Sequence, residues 1–264
     1  MTIIQAIILA IVEGLTEFLP ISSTAHMKFT NPIIGVQSTP FSDMFEIVIQ
    51  LAAILAVVVV YYRKFFDFSR INFYIKLIIA TIPALVFGFL LKKHIDNVLG
   101  NLYFLAAVMI GGGIIFLFVD RLFLHPTIES EAQVSNGTAL RIGCFQVLSI
   151  LLPGLSRSAA TIIGGMSQGL TRKAAAEFSF FLAVPTMIAA SVKSYWDVHK
   201  SHPEALSGAN FTLLGISSIV AFMVSVIVIR LFIGFLKKYG FKVWGYYRII
   251  IGLVMILLLW RGII

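Results

Sequence analysis

Charge is what this chain has least of. Only 12% of its 264 residues are Asp, Glu, Lys or Arg, 59% are hydrophobic, and mean hydropathy is +0.98. Soluble domains carry about 25% charged residues, so a soluble fold is excluded and a polytopic membrane protein is expected. Cysteine is almost missing as well. Cys144 stands alone, which rules out an intramolecular disulfide, and no Cys/His cluster has zinc-site spacing. The redox compartment stays open. The N-terminus lacks a basic flank and a small-residue cleavage site, so a removed signal peptide is not expected and the first segment is assigned to the mature fold. The net charge of +8 would suggest a nucleic-acid partner in a soluble protein. Here Lys and Arg flanking membrane spans on the cytoplasmic side account for it, and no nucleic acid is expected.

Long apolar runs are plentiful. Six stretches, at 44–62, 76–94, 101–119, 176–195, 211–235 and 246–262, can each cross about 30 Å of hydrocarbon. Two others are interrupted: 2–21 by Glu13, Glu17 and Pro20, and 142–166 by Pro153, Gly154, Ser156 and Arg157. Charge and irregular backbone at membrane depth survive only inside protein or beside a water-filled cavity. Each is therefore expected to be a re-entrant helix–turn–helix, with an ordinary kinked span as the alternative.

The order of elements repeats. A hairpin and three spans, a polar loop near 120–141, then another hairpin and three spans fill the chain. FLPISST at 18–24 matches LLPGLSRS at 151–158, and aligning Pro20 with Pro153 sets Glu13 opposite Gln146. FEIVIQLAAILAVVV at 45–59 likewise resembles EFSFFLAVPTMIAAS at 177–191. Three spans per half is an odd number, so the second copy starts on the opposite face, an inverted-topology repeat. The expected fold class is an all-α polytopic membrane protein of six transmembrane helices plus two re-entrant hairpins. It forms a single integral membrane domain over 1–264, with halves at about 1–120 and 142–264. One face, holding the loops 63–76, 120–141, 167–175 and 236–248, carries twelve Lys and Arg residues, Arg248 among them, against six on the other. By the positive-inside rule the richer face is cytoplasmic, both termini are outside, and the first hairpin enters from outside. Arg230 is expected to snorkel, and Gly111, Gly112 and Gly113 to serve close helix packing.

The interruptions carry the chemistry. Glu13 and Glu17, spaced i, i+4, share a helix face and suit a divalent cation or base catalysis. Ser22, Ser23 and Thr24 lie close to His26, an inventory of nucleophile and base. PGLSRSAAT at 153–161 reads as a turn opening a helix, with the Arg157 fork and the hydroxyls of Ser156, Ser158 and Thr161 arranged to hold phosphate. A transporter or lipid flippase is the runner-up, since broken helices in inverted repeats are its usual architecture. A structural assembly factor would leave both carboxylates unexplained.

EGLTEFLPISSTAH at 13–26 and PGLSRSAAT at 153–161 resemble the two motifs of the bacterial undecaprenyl pyrophosphate phosphatases, also described as bacitracin-resistance proteins. The likeness covers nearly the whole chain. Departures are mild: Ala25 and Ala159 stand where glycine is expected, and Met27 where leucine is common. The resemblance implies dephosphorylation of the C55 prenyl pyrophosphate to the monophosphate lipid carrier for cell-wall synthesis. It also implies Mg²⁺ or Ca²⁺ as cofactor and a multi-pass location in the bacterial inner membrane with the site facing the periplasm. On that reading Arg157, with Ser22, Ser156, Ser158 and Thr161, holds phosphate, and Glu13 and Glu17 hold the metal. Ser23 is the first choice of nucleophile with His26 as base, attack by His26 or by a water it activates being left open. Partners are the prenyl pyrophosphate and membrane lipids, and a homodimer is left open.

Overall fold

The computed structural model describes all 264 residues; the side chains of Asp96 and Lys237, the latter counted in the basic face above, lie outside the described residues. The helices are α1 (Ile3–Thr16), α2 (Ser23–Ile33), α3 (Pro40–Val60), α4 (Tyr62–Phe65), α5 (Ile71–Leu90), α6 (Lys92–Leu99) and α7 (Leu102–Leu122) in the first half. The second half contains α8 (Asn136–Leu151), α9 (Arg157–Ser167), α10 (Arg172–Ser201), α11 (Gly208–Tyr239) and α12 (Lys242–Trp260). Among the described residues the only β pairing is an isolated bridge, Ile128 to Leu170. The all-α class holds. Six helices, α3, α5, α7, α10, α11 and α12, are long and apolar enough to cross a membrane, the six expected.

Local sequence explains where helices start. Thr2, Thr39, Ser135, Thr171 and Ser207 each cap the backbone N–H three residues on, each cap stabilising its helix by about 1 kcal/mol. Pro40 adds a fixed φ at the first position of α3. The two interrupted stretches break where their prolines sit. Pro20 falls between α1 and α2, and Pro153 with Gly154 (φ +99°) between α8 and α9.

Each break is a reversal rather than a kink. Gln5 Nε2 near the start of α1 donates to Ile34 O just past α2 at 2.8 Å, and Arg141 Nη1 near the start of α8 donates to Gln168 Oε1 just past α9 at 3.0 Å. A continuous kinked span would hold those ends far apart. At 1.5 Å per residue, α1 with 14 residues and α8 with 16 reach only about 21 and 24 Å, short of a crossing.

The halves interlock. α1 packs on α11, the second span of the other half, and α8 packs on α5, the second span of the first. Small residues permit this closeness: a Cβ on Gly14 would lie 2.8 Å from Val224 Cβ, and one on Gly143 would collide with the backbone of Ala80. α7 and α12 pair along the middle, where a Cβ on Gly113 would meet Gly245 O at 2.9 Å and one on Gly245 would meet Gly113 O at 2.8 Å. Gly113 therefore serves close helix approach, as expected; Gly112 instead makes room for the Arg248 side chain, and a Cβ on Gly111 would meet nothing within 4 Å, so that residue does not serve packing. A cluster of edge-to-face aromatics, Phe18 on Phe180 and Phe73 on Phe181, fills the core behind both turns.

One expectation is corrected. Arg248 is not a loop charge on the basic face: α12 already starts at Lys242, and Arg248 turns inward, fully buried. Removing it leaves eleven basic residues against six, so the asymmetry survives.

Candidate active site

The two turns meet. One pocket is lined by Glu17, Ser22, Ser23 and Thr24 from the first hairpin, by Ser156, Arg157 and Ser158 from the second, and by Gln50 and Met187 from α3 and α10. α2 and α9 thus present their first turns to one space. Helix N-termini carry unsatisfied N–H groups and a partial positive charge, so two of them facing one pocket favour an anion.

Both turns are built alike. Ser22 (φ 71°) and Ser156 (φ 78°) are the only non-glycine residues at positive φ among the described residues, and each is the N-cap of an 11-residue helix. Their hydroxyls accept from Ala25 N and Ala159 N, both at 3.3 Å. Holding serine there costs about 1–3 kcal/mol of backbone strain, which the caps and the surrounding packing offset. Ser156 Oγ also meets Ser158 Oγ at 2.9 Å, and Ser158 Oγ donates to Leu19 O at 3.1 Å, tying the second turn to the first.

At the centre lies a chain of three side chains. Arg157 Nη2 donates to Glu17 Oε1 at 2.7 Å, and Ser23 Oγ donates to Glu17 Oε2 at 2.6 Å. Arg157 Nη1 reaches Ser179 O at 3.2 Å. All three groups are largely buried, so the Arg157–Glu17 pair is far less screened than a surface pair. Glu13, one turn before Glu17, is completely buried, and neither of its carboxylate oxygens has a hydrogen-bond partner among the described residues.

The structure does not join all the expected residues. His26 lies off the pocket and off Ser23. Its Nδ1 is 2.8 Å from Ser22 O and its Nε2 2.9 Å from Tyr247 Oη. A carbonyl can only accept, so Nδ1 carries the proton and Nε2 accepts from the tyrosine. Thr161 is likewise turned away: its hydroxyl bonds Arg157 O at 2.9 Å and Ser179 Oγ at 2.6 Å, supporting the start of α9. Three residues escaped the sequence reading. Gln50 was visible as a polar residue inside an apolar span, whereas Tyr247 and Arg248 gave no signal, because what they touch comes from distant segments.

Six helices long and apolar enough to cross a membrane, around a polar pocket at two helix N-termini, define the class as a multi-pass membrane protein. The family model of "bacitracin resistance protein BacA" matches residues 6–254, and the chain belongs to that family. Among its relatives, proteins named undecaprenyl-diphosphatase from Porphyromonas gingivalis and Flavobacterium johnsoniae are 47% and 49% identical. These alignments cover 100% and 98% of this chain and 99% and 96% of theirs. One of the same name from Bdellovibrio bacteriovorus is 41% identical over 99% of this chain and 98% of its own length.

Proposed function

We propose that this protein is an undecaprenyl-diphosphatase, which hydrolyses the C55 prenyl diphosphate to the monophosphate that carries cell-wall precursors. The relatives' shared name supports the reaction, and the Arg157–Glu17–Ser23 chain in a pocket of two helix N-termini is the observation that carries it. The diphosphate enters the pocket, with Arg157 and the first turns of α2 and α9 around its phosphoryl oxygens. Ser23 Oγ attacks the terminal phosphorus and passes its proton to Glu17 Oε2, already within hydrogen-bond reach. The new Ser23 O–P bond forms as the bond to the bridging oxygen breaks, and the prenyl monophosphate leaves with the proton that Glu17 took, which returns Glu17 to its carboxylate form. Water, deprotonated by Glu17 in turn, then cleaves the phosphoserine to inorganic phosphate and restores Ser23. Glu17 thus replaces His26 as the base. His26 instead fixes Ser22 O, and with it the turn that aims Ser23.

The donors fit a divalent cation. Glu13 offers two buried, unengaged carboxylate oxygens one helical turn from Glu17. Mg²⁺ is commonly held by one or two carboxylates together with phosphate oxygens, so Glu13 and Glu17 would hold the cation with the diphosphate. Bound there, Mg²⁺ or Ca²⁺ supplies positive charge to the phosphoryl oxygens.

The hairpins are re-entrant and the halves are an inverted repeat. The closed hairpin ends, the twin serine caps and the exchange of α1 and α8 onto the opposite half support this. The eleven-to-six basic asymmetry supports a bacterial inner-membrane location with the site toward the periplasm and both termini outside. Purified protein given a long-chain prenyl diphosphate is expected to release one equivalent of phosphate, less with a chelator present. Binding without release would sink the enzyme reading and favour a transporter.

A further inference from the structure

Arg248 lies outside the pocket and is 0% exposed, and among the described residues no carboxylate pairs with it. A guanidinium has five N–H donors, and all five are taken by backbone carbonyls. Nε donates to Met109 O at 3.2 Å. Nη1 donates to Pro20 O at 3.1 Å and Leu155 O at 2.9 Å, and Nη2 to Val108 O at 3.3 Å and Gly154 O at 2.9 Å. The acceptors come from three segments: α7, the turn before α2, and the turn before α9.

Burying a charge without a counter-charge is unfavourable, and an apolar side chain would fill the space. What only a planar fork can do is hold several carbonyls in one fixed arrangement. Pro20 is two residues before the strained cap Ser22, and Leu155 is one before the strained cap Ser156. The fork therefore sets where α2 and α9 begin relative to each other. Both first turns line the pocket. In a diphosphate, one bridging oxygen fixes the distance between the phosphoryl groups, so two N-termini held in one fixed arrangement around the pocket present one first turn to each group. A monophosphate engages one.

Resting on the diphosphatase reading above, we propose that Arg248 is a positioning residue that holds the α2 and α9 N-termini at the spacing of one diphosphate, so that the site prefers the diphosphate headgroup to the monophosphate product. Release of product follows from the same geometry, because hydrolysis removes one of the two anchored groups.

Two variants disturb the fork without touching the pocket. Arg248→Lys keeps the charge and loses the plane. Gly112→Ala keeps Arg248 and displaces it, since a Cβ at Gly112 would lie 2.5 Å from Nη2. The measurement is the affinity of each purified protein for a prenyl methylenediphosphonate and for the prenyl monophosphate, with thermal unfolding followed alongside. The parent is expected to prefer the diphosphonate. In both variants that preference should fall about tenfold or more, through weaker diphosphonate binding at nearly constant monophosphate affinity. The proposal is overturned by an unchanged preference in the variants, by both affinities falling in step, or by a parent with no preference. Neither variant being recovered folded would also overturn it, since Arg248 would then be a core residue alone. A parent that binds neither ligand and releases no phosphate counts instead against the diphosphatase reading.

Discussion

Within a fixed fold, single side chains decide the chemistry. Arg157 makes two bonds in different directions, to Glu17 and to Ser179 O, which one ammonium cannot reproduce. Arg157→Lys is expected to lower kcat by about 10²-fold or more while the protein still inserts and unfolds at a similar temperature; near-parental turnover would remove Arg157 from the phosphate clamp. Ser23→Ala and Glu17→Gln should each abolish single-turnover phosphate release, with the double variant little worse than either, because nucleophile and base act as a unit. Additive losses in that cycle would separate them. Comparing Ser23→Ala with His26→Ala distinguishes the mechanisms further: a dead histidine variant beside a fully active Ser23→Ala would shift the attack to His26 or its water. Ser22 tests the strained cap. Glycine adopts φ 71° freely, so Ser22→Ala should cost about 1 kcal/mol or more in stability relative to Ser22→Gly, read from thermal unfolding in detergent.

The helices matter through how closely they approach. α8 lies on α5 only because Gly143 has no side chain against the backbone of Ala80. Gly143→Val is expected to push the second hairpin away from α5 and to destabilise by about 1–3 kcal/mol, with loss of phosphate binding in step. An unchanged melting temperature would mean that the two helices are not in contact. Sequence patterning marks the six long helices and the two broken stretches, but neither the short helices α4 and α6 nor the exact helix ends. It set the first of the six spans at 44–62, and the helix runs Pro40–Val60, a shift set by the cap Thr39 and the Pro40 beside it. Breaks are expected at Pro20 and Pro153, where charge and turn residues interrupt the apolar run, whereas Pro83 and Pro185 lie inside the continuous helices α5 and α10. The hairpins are expected from the interrupted stretches, but the bonds that close them, such as Arg141 to Gln168, join residues whose spacing carries no pattern.

Across the molecule, the proposed orientation rests on the charge asymmetry. After Cys144 is replaced, single cysteines introduced at Ser69 and at Gln37, both exposed, give the test. An impermeant thiol reagent added to intact cells is expected to label position 37 and not position 69. The reverse pattern would invert the topology and move the pocket's opening to the cytoplasm.

The sequence alone determined the all-α membrane class, the six spans, the two broken stretches and the residue types needed at a phosphate site. Each follows from local properties: hydrophobic run length, the unfavourable burial of charge, and the backbone limits of proline. Only the tertiary structure decided which groups meet. Ser23 and His26 are three residues apart on α2, yet the ring turns toward Tyr247 on α12 while the hydroxyl finds Glu17 across the turn. Arg248 looked like one more positive charge near a helix end. Its partners are main-chain carbonyls, which every residue has, so no sequence pattern could mark them, and only folding brings the five to one guanidinium.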